Sequence, residues 1–138
     1  MNFKNIQVWD LIKSRVHELS IQPERICNFL KCSQEELRNM YDSEDMSVEL
    51  LLRWCKLLEY DFFRIYSQHL ILYAPPQVHG KNKAETTSLP EFRKSIYTRE
   101  VIDFLLELID TGKKTRAEVI EEYGIPKTTL YKWISKNS

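Results

Sequence analysis

The chain carries no excess of charge, its 20 lysines and arginines being matched by 20 aspartates and glutamates. A protein-wide positive field that would gather any polyanion is thereby excluded, and the local placement of charge becomes decisive. Only three glycines occur in 138 residues, and none forms the spaced glycine run that cradles a nucleotide phosphate. Nucleophile elbows and metal-binding histidine pairs are also missing. Cysteine is limited to Cys27, Cys32 and Cys55, an odd number without CxxC spacing, which reads as reduced thiols in a cytoplasmic protein. A zinc site from Cys27, Cys32 and one of His17, His69 or His79 lacks the expected ligand spacing. The longest apolar run, near "LILYA", is far shorter than the roughly 20 residues a membrane helix needs. The opening "MNFKNIQVWD" lacks a basic segment followed by an apolar one, so no signal peptide and no membrane partner are expected. Runs of alternating apolar and polar residues between hairpin turns are absent as well, which argues against strands.

What remains is helical periodicity, and the expected fold class is all-α. The segment "APPQVHGKNKAETTSLP" holds three of the five prolines and mostly polar residues. Such composition buries little apolar surface and reads as a linker over 74–90. It separates an N-terminal helical domain, 1–73, from a C-terminal one, 91–138. In the first, Ile6, Trp9, Leu11, Ile12, Val16 and Leu19 recur at helical spacing. A second helix is expected to start near Pro23, with Ile26, Cys27, Phe29 and Leu30 inward. Ser33 and Glu36 form a capping box opening a third helix, which carries Leu37, Met40 and Tyr41 inward. Ser47 opens "VELLLRWCKLLEY", with Leu51, Leu52, Trp54, Cys55 and Leu58 on a packed side. "DFFRIYSQHLILY" is an aromatic-rich helix that must stop at Pro75. Its Phe62, Phe63 and Tyr66, like Trp54, suit a core or an interface better than a ligand box.

Beyond the linker, Thr98 is placed to cap a helix through Asp110 that Thr111-Gly112 ends. Thr115 with Glu118 is a second capping box. Gly124 supplies a tight turn, and Pro126 starts the last helix, where its missing N–H does no harm. Three helices with a glycine turn between the last two give a helix-turn-helix outline. On the final helix Leu130, Trp133 and Ile134 form the inner stripe with Ile125. Lys127, Thr128, Tyr131, Lys132 and Ser135 then face outward, with Thr129 at the boundary. From Tyr123 onward there are three lysines and no acid. Ammonium groups neutralise phosphate, and short hydroxyl side chains let a helix approach base edges in a major groove. Lys113, Lys114 and Arg116, in and after the loop "TGKKTR", add backbone-contacting charge, and Lys136 extends it at the end. Composition and spacing fit a solvated lysine-bearing face equally well.

The stretch "YTREVIDFLLELIDTGKKTRAEVIEEYGIPKTTLYKWISK", Tyr97–Lys136, closely resembles the helix-turn-helix domain of insertion-sequence transposases, the small DNA-binding subunit type. The resemblance rests on the "YT-E" opening, on "G-K-T-AEVI-EYGI" and above all on "TTLYKW". It implies that the last helix is a recognition helix, with Lys127, Thr128, Thr129, Tyr131 and Lys132 toward DNA. Pro126 departs from a serine common in that family, which removes a capping or phosphate-bonding hydroxyl. The whole chain is similar to a group of small transposase-like proteins of Bacteroidetes type, through "ERICNFLKCSQEELRNMY", "LLRWCKLLEYDFFRIYSQHLILYAPP" and the tail.

"PERICNFLKCSQEELRNMY" more loosely resembles a repressor-type helix-turn-helix. Its candidate groove-facing residues Gln34, Glu35, Arg38 and Asn39 lie beside Asp42, Glu44 and Asp45, and clustered carboxylates repel phosphate. The N-terminal domain is therefore expected to serve oligomerisation more than DNA contact. The chain has neither the length nor the strands of the two-metal nuclease domain that transposition chemistry needs, so no catalytic residue, metal or cofactor is expected. The expected partners are double-stranded DNA, a second copy of the chain as a homodimer, and a catalytic transposase subunit, in an accessory or derived regulatory role. The competing expectation is a protein-interaction adaptor that retains helix-turn-helix scaffolds.

Overall fold

The computed structural model describes residues 1–74, 87–90 and 96–137. Among these the chain is all-α, with eight helices and no strand. Most of the expected linker, 75–86, and the start of the expected C-terminal domain, 91–95, lie outside the described residues. Contacts gather Asn5–Ile65 into one compact unit and Met1–Lys4 with Tyr66–Ser138 into another.

The first unit contains α1 (Val8–Leu19), α2 (Pro23–Leu30), α3 (Gln34–Asp42), α4 (Val48–Leu58) and the first residues of α5 (Phe63–Tyr73). Helix starts follow local chemistry. Pro23 occupies the first turn of α2. Ser33 accepts a hydrogen bond from the Glu36 N–H while the Glu36 carboxylate accepts one from the Ser33 N–H. The Ser47 hydroxyl accepts from the Leu50 N–H. Each such cap contributes about 1 kcal/mol. The interior is built on Ile12, Ile26, Trp54, Leu58 and Phe62, all at most 2% exposed. Trp9 stands edge-on to both Trp54 and Tyr41, at centroid distances of 5.9 and 5.8 Å, the arrangement that aromatic quadrupoles prefer.

Two arginines tie off helix ends within this unit. Arg53 of α4 donates to the carbonyls of Phe29 and Leu30 at the end of α2. Arg15 of α1 donates to the Leu58 carbonyl at the end of α4. Both satisfy acceptors that a helix leaves open.

Three residues expected inward are instead exposed: Leu19, Phe29 and Leu52, at 42, 40 and 45%. Leu52 lies about 100° round the helix from Leu51, and Leu51, Trp54 and Leu58 already fill the inner stripe. Phe29 is similarly offset from the buried Leu30, and the Arg53 guanidinium covers its ring. Leu19 is the last residue of α1, where Ser20 turns left-handed. Ile6 lies ahead of α1, which begins at Val8.

In the second unit, the C-terminal part of α5 presents Gln68, only 2% exposed. Its amide nitrogen donates to the Ile96 carbonyl at 2.5 Å, and its amide oxygen accepts from the Thr98 N–H at 2.9 Å. A buried amide is tolerable only when its polar atoms are bonded in this way. Next to it, His69 Nδ1 donates to the Phe3 carbonyl at 2.6 Å. Thr98, so held, caps α6 (Arg99–Asp110) by accepting from the Val101 N–H. Thr111 and Gly112 end α6, with Gly112 at φ 76.

Thr115 and Glu118 make the capping box of α7 (Arg116–Tyr123). Gly124 follows in the left-handed region at φ 64, where a side chain would be strained. Then comes α8 (Lys127–Lys136). Each of α6, α7 and α8 touches the other two. Their shared core is Val101, Leu105, Leu106, Val119, Ile125 and Leu130, each side chain contributing about 1.5–3 kcal/mol by burial. Tyr97 closes one side edge-on against Trp133, 5.0 Å between centroids.

Candidate nucleic-acid interface

The inner and outer faces of α8 fall where the apolar spacing puts them. Ile125 and Leu130 are buried and Trp133 and Ile134 half-buried, while Lys127, Thr128, Tyr131, Lys132, Ser135 and Lys136 are exposed and Thr129 is half-buried. From Lys127 to Lys132 the exposed side chains spread over an arc of about 140°, at 100° per residue. One local difference concerns Pro126. It precedes the helix as its cap residue, with ψ 138, instead of occupying the first helical position. A proline has no side-chain acceptor, so no side chain caps the first N–H groups of α8. Acids are also absent from its first turn, so no charge of the helix's own first turn offsets the partial positive charge of its start.

The loop and α7 contribute unequally. Lys113 is exposed. Lys114 is half-buried and donates to the Glu122 carboxylate at the far end of α7. That hydrogen bond, aided by the Glu122 charge, holds the Lys114 ammonium above its usual pKa. Arg116, first residue of α7, is exposed, and its guanidinium lies over the Tyr131 ring at 5.6 Å. The Lys127 ammonium lies 5.6 Å from the same ring centroid. Two cations from different helices thus converge on one aromatic ring that is itself 39% exposed. Cation–π contacts of this kind contribute about 0.5–1 kcal/mol each at exposed sites, enough to bias side-chain direction.

Seven bases and seven acids lie between 96 and 137, so this part of the chain is neutral but segregated. Glu100, Asp103, Glu107 and Asp110 belong to α6 and Glu118, Glu121 and Glu122 to α7, whereas α8 has only lysines. Asp103, Glu107 and Asp110 line a groove of about 340 Å³ together with Arg116, Ile134 and Asn137. The Glu122 partner of Lys114 and the Arg116–Tyr131 pair had no sequence signal, because the two members of each pair belong to different elements, Lys114 to the loop before α7 and Tyr131 to α8.

The outer side of α3 presents Gln34, Glu35, Arg38 and Asn39, all exposed, with Asp42, Glu44 and Asp45 exposed beyond them. Among the described residues, no three His, Cys, Asp or Glu side chains come together to hold a metal ion. No described helix is long and apolar enough to cross a membrane. No family model, curated protein or solved structure matches the chain.

Proposed function

We propose that the chain binds double-stranded DNA through α8, with Lys127, Thr128, Tyr131 and Lys132 entering or flanking the major groove. The observation that carries this reading is the convergence of Arg116 and Lys127 on Tyr131, beside an acid-free helix start. Cations biased toward one direction lose less entropy on meeting phosphate than unbiased side chains do. Backbone N–H groups at a helix start are suited to the same ligand. Lys113 and Lys136 extend the phosphate contacts, and Thr129 borders the groove. Lys114 joins them only on leaving Glu122. The resemblance of Tyr97–Lys136 to transposase helix-turn-helix domains, read from the sequence, points the same way, and the role proposed on it is that of an accessory transposase subunit or a derived regulator. A single neutral module binds DNA weakly, so a homodimer or a catalytic transposase subunit is the expected company.

Selection of bound fragments from a random duplex pool tests the reading. Recovery of a shared motif supports it; recovery of unselected sequence only, at a yield independent of salt, contradicts it.

A second reading, a protein-interaction adaptor, is favoured by one feature of α5. Tyr66, Leu70 and Tyr73, at positions i, i+4 and i+7, are 37, 57 and 45% exposed, an uncharged stripe suited to another helix. Under that reading, charge reversal on α8 leaves the chain's interactions intact.

A further inference from the structure

The turn between α2 and α3 brings two thiols together. Lys31 closes α2 in the left-handed region, at φ 55 and ψ 51, and the Cys32 N–H donates back to the Cys27 carbonyl at 3.1 Å. This six-to-one bond defines a Schellman motif, in which the side chains at those two positions commonly touch. Here both are cysteines. Burial, and after it the Cys27 neighbour, pushes the Cys32 thiol above its usual pKa. Both remain half-buried, within reach of a small reagent. Cys55, on α4, is the remaining cysteine and serves as an internal control.

We propose that Cys27 and Cys32 form a redox-active dithiol that closes to an intramolecular disulfide by exchange with a low-molecular-weight disulfide such as oxidised glutathione. One cysteine, as thiolate, attacks a sulfur of the oxidant and expels one small thiolate, leaving a mixed disulfide. The other cysteine, as thiolate, attacks the protein sulfur of that bond and expels the second small thiolate. One S–S bond is broken and one formed. The two protein thiol protons end on the two released small thiols, and two electrons pass from the protein to the oxidant. The bond from the Cys32 N–H to the Cys27 carbonyl keeps the two residues close across the turn, the proximity that closure needs. The bond joins the last turns of α2 to the residue preceding the Ser33 cap of α3. It therefore restrains the turn in the unfolded chain as well as in the folded one.

The full-length chain, incubated with oxidised glutathione and then alkylated under denaturing conditions, provides the test. The expected product is lighter than the reduced chain by two hydrogens and retains one alkylatable thiol. Its tryptic map joins the peptide Ile26–Lys31 to Cys32–Arg38. Cys55→Ser gives the same bond, and the oxidised forms of both proteins melt at a higher temperature than the reduced forms. Cys27→Ser and Cys32→Ser give neither the bond nor the melting shift. Three alkylatable thiols surviving a mixture that oxidises dithiothreitol would overturn the proposal and leave the pair as a small apolar contact. A bond through Cys55, or a glutathione adduct persisting at Cys27 or Cys32 in the unsubstituted chain, would overturn it equally.

Discussion

The guanidinium of Arg116, at the start of α7, lies 5.6 Å over the ring of Tyr131 in the middle of α8. Lys127 meets the same ring at the same distance. The ring is thus a shared support for two cations that begin two successive helices. On the proposed reading it sets where positive charge stands before any ligand arrives.

Replacing Tyr131 separates its two roles. Tyr131→Phe keeps the aromatic face and is expected to retain duplex affinity to within a few-fold. Tyr131→Ala removes the face and is expected to lower affinity about tenfold, with stability reduced by about 1 kcal/mol. Duplex titration followed by fluorescence anisotropy, alongside thermal melting, checks both. Equal affinities for the two variants would remove Tyr131 from the account.

Lys114 is held by Glu122. Glu122→Gln is therefore expected to release an ammonium group for phosphate contact and to steepen the salt dependence of duplex binding by about 0.9 in log–log slope. The gain is expected in binding and not in folding, since an ion pair as open to solvent as this one contributes little to stability. An unchanged slope would show that Lys114 lies out of reach of the DNA backbone.

Glu59 closes α4 with φ 50 and ψ 47, a left-handed conformation that strains a side chain and is favourable in glycine. Its carboxylate also stands at the negative end of the helix dipole. Glu59→Gly should stabilise the N-terminal unit by about 1 kcal/mol, read as a shift of the urea midpoint. A lower midpoint would mean that the Glu59 side chain makes a compensating contact.

Gln68 bonds the Ile96 carbonyl and the Thr98 N–H from a buried position. Gln68→Ala leaves both backbone groups without that partner, at a cost of about 1–3 kcal/mol. Amide exchange at Thr98 and Val101 should accelerate first, because Thr98 caps α6. Unchanged protection at these two amides would show that water replaces the side chain fully.

These relationships differ in how plainly the sequence announced them. Helix starts at Ser33, Ser47, Thr98 and Thr115 were legible because a cap and the N–H it accepts from lie within one turn. The outward face of α8 was legible because Ile125, Leu130, Trp133 and Ile134 leave it only one apolar side. Phe29 and Leu52 were misplaced because a dense apolar stretch does not say which of two neighbouring residues turns outward. That choice depends on partners such as Arg53, 24 residues from Phe29 in the chain. The Gln68 clamp and the convergence on Tyr131 were invisible for the same reason, since both join segments whose adjacency exists only after folding. Pro126 was shifted by one position because an extended ψ at a cap and a helical ψ in a first turn are equally open to proline.

The most direct measurement is equilibrium binding of a duplex recovered from the random pool, at two salt concentrations, by the unsubstituted chain and by Lys127→Glu/Lys132→Glu, with circular dichroism confirming the fold. Loss of at least tenfold in affinity at the lower salt, together with a log–log salt slope shallower by about 2 for the two lysines, is the result predicted. Equal affinity and an equal slope in two equally folded proteins would contradict the assignment of α8 as a DNA-binding surface.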